Sequence, residues 1–223
     1  MSSFSQLFSE TKISTLKLKN RLVVAPMTRV SATPNGIPTE IMREHYVDYA
    51  NGGWGLVITE GTYIDEQYSQ GYRNQPGIAN KQHIDSWKKI VEAVHKTNTP
   101  IFLQLIHAGG LIQENSYKKY AIAPSKTELL GKMLPHYYGE GKFSVPMEIT
   151  KHQILETVKN FSLAAKNAME AGFDGVEIHG ANGYLLDQFL TLFSNQRDDE
   201  YGGNIENRIR FHCEVLESIL DTV

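Results

Sequence analysis

The segment Pro100-Ile-Phe-Leu-Gln-Leu-Ile106 decides the fold. It is short, rich in branched aliphatics and continuous rather than alternating. Such a run fits a strand in a parallel sheet that is covered on both faces. Asn98-Thr99-Pro100 closes the helical pattern before it, and His107 follows it. Gln104 interrupts the apolar run. Side chains alternate along a strand, so Leu103 and Leu105 face one side and Gln104 the other. A primary amide in such a strand costs free energy unless it is hydrogen-bonded. Its donor pair and acceptor suit the edge of a planar heterocycle, and a structural network would satisfy it equally.

Three further runs read in the same way: Arg21–Met27 (RLVVAPM), Gly55–Glu60 (GLVITE) and Gly175–His179 (GVEIH). Helical patterns lie between and after them. Pro38–Ala50 enters on Pro-Thr-Glu and stops at Asn51-Gly52-Gly53. Ile84, Trp87, Val91 and Val94 recur at helical spacing. Thr150-x-x-Gln153 is a capping box before a stripe from Ile154 to Met169, which Gly172 closes. Ile205, Ile209, His212, Leu216 and Ile219 give a last helix an apolar stripe. Strand followed by helix, four times over, means an α/β fold with right-handed crossovers. A doubly wound sheet and a β/α barrel both satisfy that order. The segment 110–148 after the third strand is long for a compact domain and is expected to be a lid-like loop or disordered.

Bulk properties narrow the partners. The 223 residues carry a net charge of -3, which gives no case for nucleic acid or an anionic membrane as partner. The single cysteine, Cys213, excludes an internal disulfide and a cysteine metal cluster, and fits a reducing, cytoplasmic setting. The N-terminus lacks a secretory pattern, and no apolar run approaches the ~20 residues of a membrane span.

In either α/β architecture function gathers at the C-terminal ends of the strands. The first run ends Ala25-Pro26-Met27-Thr28, with a threonine hydroxyl at the rim. The second ends Glu60-Gly61-Thr62, where Gly61 lets a backbone or a flat ligand approach. The fourth ends in His179 and Asn182, two neutral hydrogen-bonding side chains, with Tyr184 in the first turn that follows. Such a group could hold a carbonyl oxygen and deliver a proton beside it; a capped helix start with one satisfied histidine is the plain alternative. Glu177 and His179 share one face of the strand. No dinucleotide fingerprint, phosphate loop, paired-histidine metal signature or serine elbow occurs. No carboxylate or second histidine is spaced to make His179 and Asn182 a metal site.

RLVVAPMT (21–28), QLIHAG (104–109), HGANGYLLDQF (179–189) and SNQRDDEYGGNIENR (194–208) follow one another in order. Together they resemble the Old Yellow Enzyme family of FMN-dependent ene-reductases, from about Leu7 to the last residue. The resemblance implies the first four strand–helix units of a (β/α)8 TIM barrel, as one domain over 1–223. It implies that Ala25, Pro26, Met27 and Thr28 line FMN, that Gly61 lies against the ring, and that Gln104 pairs with the pyrimidine edge. It implies that His179 and Asn182 grip a substrate carbonyl and that Tyr184 donates a proton. The implied reaction reduces the C=C bond of an α,β-unsaturated carbonyl compound, with NAD(P)H recharging the flavin. Gly110-Leu111 stands where many relatives carry an arginine, and Thr28 where some carry a cysteine.

The chain is expected to be the N-terminal portion of such a barrel, because an eight-fold barrel takes about 250 residues before insertions. The competing expectation is a non-catalytic half-barrel that needs a partner chain to fold or to bind flavin. Its two open sheet edges would favour a homo-oligomer. A metal- or lysine-dependent barrel acting on sugars or keto acids would need a ligand cluster or strand-end lysine that the sequence does not offer.

Overall fold

The four apolar runs pair side by side in the order in which they occur along the chain. The computed structural model describes residues 4–117 and 120–223. A hairpin of β1 (Thr11–Ile13) and β2 (Leu16–Leu18) comes first. Then follow β3 (Val23–Val24), α1 (Glu40–Asn51), β4 (Leu56–Ile58), β5 (Thr62–Tyr63), α2 (Lys81–His95) and β6 (Ile101–Ile106). The long connection contains β7 (Ile122–Ala123), a 3-10 turn (Pro135–Tyr137) and β8 (Met147–Glu148). After it come α3 (Lys151–Ala171), β9 (Gly175–Ile178), α4 (Leu185–Leu190) and α5 (Ile205–Leu220).

All pairing in the main sheet is parallel. β3 pairs with β4, and β4 with the start of β6. β5 pairs with the end of β6, so β4 and β5 are two pieces of one interrupted run. The other edge of β6 takes β9, in a register that sets Gln104 opposite Glu177. A doubly wound sheet reverses its strand order at a switch point; here each new strand joins its predecessor. The helices line one side in the same sequence, α1 on α2, α2 on α3 and α3 on α5. This is the wall of a β/α barrel.

Alternation along β6 separates two environments. Ile101, Leu103 and Leu105 join the core under the helices, with Val57, Trp87, Phe161 and Phe211. Phe102 faces the concave side and packs with Leu56, Ile58 and the hairpin residues Leu16 and Leu18. The hairpin therefore fills the N-terminal end of the concave face. A Cβ on Gly175 would come within 2.8 Å of the Phe102 ring, so the glycine makes room for that side chain.

Several expectations need correcting. Coverage on both faces holds for β4 and most of β6, but every residue of β9 is half-buried and Val23 is 38% exposed. Both are edge strands over a concave face. The first strand is Val23–Val24 rather than 21–27, because Pro26 has no N–H for the ladder and the Arg29 N–H goes to Glu60 instead. The helix expected over 38–50 spans Glu40–Asn51. Tyr184 is the N-cap of α4 rather than part of its first turn. The segment 110–148 is not structureless: β7 and β8 pair within it, Ile122 opposite Met147. Among the described residues no helix is long and apolar enough to cross a membrane.

The capping box on α3 is formed as its spacing predicts. Thr150 Oγ1 accepts the Gln153 N–H at 3.2 Å, and Gln153 Oε1 accepts the Thr150 N–H at 3.0 Å. Gly172 ends the helix at φ +93°, a left-handed conformation suited to glycine. Thr150→Ala is expected to cost about 1 kcal/mol of stability, read from urea unfolding.

Candidate active site

The C-terminal ends of the strands enclose a cavity of about 400 Å³. Pro26, Thr28, Gly61, Gln104, His179, Asn182 and Tyr184 all line it. Ala25 and Met27 do not: Ala25 is exposed, and so is Met27. The cavity also takes in Ile106, Glu177, Tyr72 and Tyr137.

One wall is the concave face of the central strands. Gln104 is 7% exposed, and its Nε2 donates to Glu177 Oε1 at 2.7 Å. The parallel register brings these two side chains together. A Cβ on Gly61 would lie 3.2 Å from Ile106 Cγ2 and 3.3 Å from Gln104 Oε1, tighter than ordinary contact. The glycine thus keeps this wall flat beside the amide.

A further part of the lining is the turn after β9. The His179 N–H makes the last ladder bond, to Leu105 O at 2.9 Å. The chain then turns through Asn182 (φ +59°) and Gly183 (φ +77°). Asparagine is among the few non-glycine residues that tolerate the left-handed region. The turn is fastened from below: Asp187 Oδ2 accepts the Gly183 N–H at 2.7 Å, and Gln188 Nε2 donates to Gly183 O at 2.6 Å.

His179 Nδ1 accepts the Ala181 N–H at 3.4 Å, which leaves the ring proton on Nε2 as a donor. Burial holds its pKa below the ordinary 6.5, against the pull of Glu177. The ring stands edge-on to Tyr184, with centroids 4.9 Å apart. The Tyr184 hydroxyl lies 3.0 Å from that of Tyr72. Burial raises the Tyr184 phenol above its ordinary pKa, and the bond to Tyr72 opposes that shift. Tyr72 is 2% exposed, and burial with the neighbouring Tyr184 pushes it well above the ordinary value. Tyr137, from the long connection, stacks on Tyr72 at 4.8 Å and 25°.

Sequence reasoning missed Tyr72, which lies outside the regular elements, and Tyr137, which ends the short 3-10 turn; neither carries a periodic signal. It placed Glu177 on the His179 face without giving it a role. His107, which follows the third run, is 1% exposed, and burial pushes its imidazole down to about 4. Among the described residues there is no group of three or more His, Cys, Asp or Glu that could hold a metal ion.

The depressed His179 pKa makes a direct expectation. Its ring resonances should titrate with a midpoint below 6.5, so the imidazole is neutral at pH 7 and charges only as the pH falls. A midpoint at or above 6.5 in an NMR titration would contradict the site's electrostatics.

A model of the NADH:flavin oxidoreductase / NADH oxidase family matches residues 6–223. A probable flavin mononucleotide-dependent alkene reductase of Leishmania infantum is 45% identical over 213 residues, 92% of this chain and 57% of that protein. A putative 12-oxophytodienoate reductase 6 of Oryza sativa subsp. japonica is 42% identical over 211 residues, covering 94% of this chain and 52% of its own. Among solved structures, the old yellow enzyme homologue from Zymomonas mobilis superposes with a TM-score of 0.91 at 37% identity, over 97% of this chain and 60% of that one. Morphinone reductase in complex with tetrahydroNAD gives 0.88 at 34% identity, again over 97% and 60%. This chain therefore spans between 52% and 60% of the length of these four relatives. With its sequential parallel wall and its strand-end cavity, the chain belongs to the NADH:flavin oxidoreductase / NADH oxidase family.

Proposed function

We propose that the cavity is the carbonyl-binding and proton-donating half of an FMN-dependent ene-reductase site. The observation that carries this reading is the convergence of His179, Asn182 and Tyr184 with Gln104 and Gly61 around one cavity. The family is one of flavin oxidoreductases, which makes FMN the cofactor and a nicotinamide nucleotide its reductant.

The donor set fits a flavin. The pyrimidine edge of the ring alternates carbonyl acceptors with an N–H donor, and the Gln104 amide offers both complements. Thr28 adds a hydroxyl, Pro26 an apolar contact, and Gly61 a wall without a side chain. These residues would hold the ring; Ala25 and Met27 would contribute through the course of the backbone. When bound, FMN supplies hydride to the β-carbon of an activated alkene.

The chain's own groups do the rest. His179 Nε2–H and the Asn182 amide donate to the substrate carbonyl oxygen, where negative charge builds up. A neutral imidazole suits this task, because it polarises without surrendering its proton. Tyr184 delivers a proton to the α-carbon. A phenol is a weak acid, so the phenolate it leaves must be stabilised. Tyr72 does this by donating to the Tyr184 oxygen across their 3.0 Å contact. Tyr137 holds Tyr72 by stacking, which gives the segment 110–148 a lid-like part in excluding water. The substrate class is α,β-unsaturated carbonyl compounds.

Tyr184→Phe is expected to slow alkene reduction by about a hundredfold or more while sparing reduction of the flavin by NAD(P)H. Stopped-flow measurement of the two half-reactions tests this, and equal slowing of both would reject the proton-donor role. Replacing His179 and Asn182 together by Ala should weaken the binding of enone ligands by about tenfold or more. Unchanged affinity in a titration would reject their grip on the carbonyl.

A further inference from the structure

Glu60 lies behind the cavity wall and has no part in the chemistry above. It is 1% exposed, at the break between β4 and β5 and directly before Gly61. Three neighbours converge on its carboxyl group. The Arg29 N–H donates to Oε2 at 2.9 Å, and the Tyr46 hydroxyl donates to Oε1 at 3.1 Å. The Val30 N–H also faces the carboxyl and favours its ionised form. The Glu60 N–H in turn donates to the Tyr46 oxygen at 3.0 Å. One side chain thus ties α1, the end of β4 and the segment after β3 together.

That segment is the part of the chain that brings Pro26 and Thr28 to the cavity. It is also strained. Val30 has φ +47°, in the left-handed region that a β-branched residue rarely adopts. Such a conformation persists only where its surroundings hold it. The N–H groups of Arg29 and Val30 are what the carboxylate holds.

We propose that Glu60 is a positioning residue that sets Thr28 in the flavin-facing wall and releases it on protonation. The ionised carboxylate accepts from all three donors. Protonation on Oε1, which faces the Tyr46 hydroxyl, makes that oxygen a donor and removes the charge, so the N–H bonds to Oε2 weaken from charge-assisted to ordinary ones. The ionisable groups facing Glu60 are Tyr46 from α1 and Arg29 from the segment after β3. Burial drives the carboxyl up to about 7, while the Arg29 N–H, the Tyr46 hydroxyl and the Arg29 charge hold it down. The clamp is therefore made above about pH 7 and loosened below it. The link to a flavin rests on the function proposed above; the clamp itself does not.

The test follows the amide resonances of Arg29 and Thr28 in nitrogen-labelled protein from about pH 5.5 to about pH 8.5, which spans the range where a buried carboxyl can titrate. Both amides should show one transition with a midpoint near 7. Glu60→Gln should abolish it. Tyr46→Phe removes one donor to the carboxylate and should move the midpoint upward, and it serves where the glutamine variant fails to fold. FMN titrations monitored by flavin fluorescence should show affinity at least fivefold weaker at the acid end in the wild type, and no such change in Glu60→Gln. Titrating amides in a protein that does not bind FMN would support the clamp and count against the flavin reading. Amides that do not titrate, or an FMN affinity with the same pH dependence in wild type and Glu60→Gln, would overturn the proposal.

Discussion

Strand β6 is hydrogen-bonded along both edges, and the rest of the structure is arranged around that fact. A central parallel strand must satisfy every backbone group through its neighbours, so its register fixes theirs. Its alternation does the rest. Leu103 and Leu105 go under the helices, where the largest buried side chains gather, and Gln104 and Ile106 go to the concave face. A shift of one residue would send the leucines into the cavity and the amide into the core. The apolar penalty of that exchange is what makes the polar cavity wall reproducible.

Each polar group at the strand ends is then secured by a local device. Gln104 meets Glu177 because the β6–β9 register sets them opposite each other. His179 keeps its proton on Nε2 because the turn behind it supplies an N–H to Nδ1. Asn182 and Gly183 take left-handed conformations that Asp187 and Gln188 fasten. Tyr184 is held from Tyr72, a residue 112 positions away in sequence. The donors face the cavity already ordered, and under the proposed function that leaves little reorganisation for the moment charge develops.

Much of this was legible in the sequence, and for identifiable reasons. The four runs around Val24, Val57, Leu103 and Val176 gave the strand order because local apolar patterning reports burial. The capping box at Thr150 and the glycine at 172 gave the bounds of α3 because caps are local chemistry. His179, Asn182 and Tyr184 could be picked out because they follow a strand end directly. What escaped depends on contacts distant in sequence. Tyr72, Tyr137 and Glu60 acquire their roles only when the loops are folded over the sheet. The expectation of two covered faces overreached because a continuous apolar run does not distinguish a central strand from an edge strand such as β9. Ala25 and Met27 are exposed and fall outside the cavity lining, since the strand ends at Val24 and the course of the chain beyond it is not set by the ladder.

The concave wall built on β6 is proposed to receive the flavin. The most direct measurement is FMN affinity, by fluorescence quenching, for the wild-type protein and for Gln104→Leu, with far-UV circular dichroism confirming that both are folded. Saturable quenching by the wild type is expected, with affinity weaker by about tenfold or more in the variant, since a buried pair of hydrogen bonds is worth about 1 to 3 kcal/mol. Equal affinity in the two proteins would mean that Gln104 does not hold the flavin in this wall.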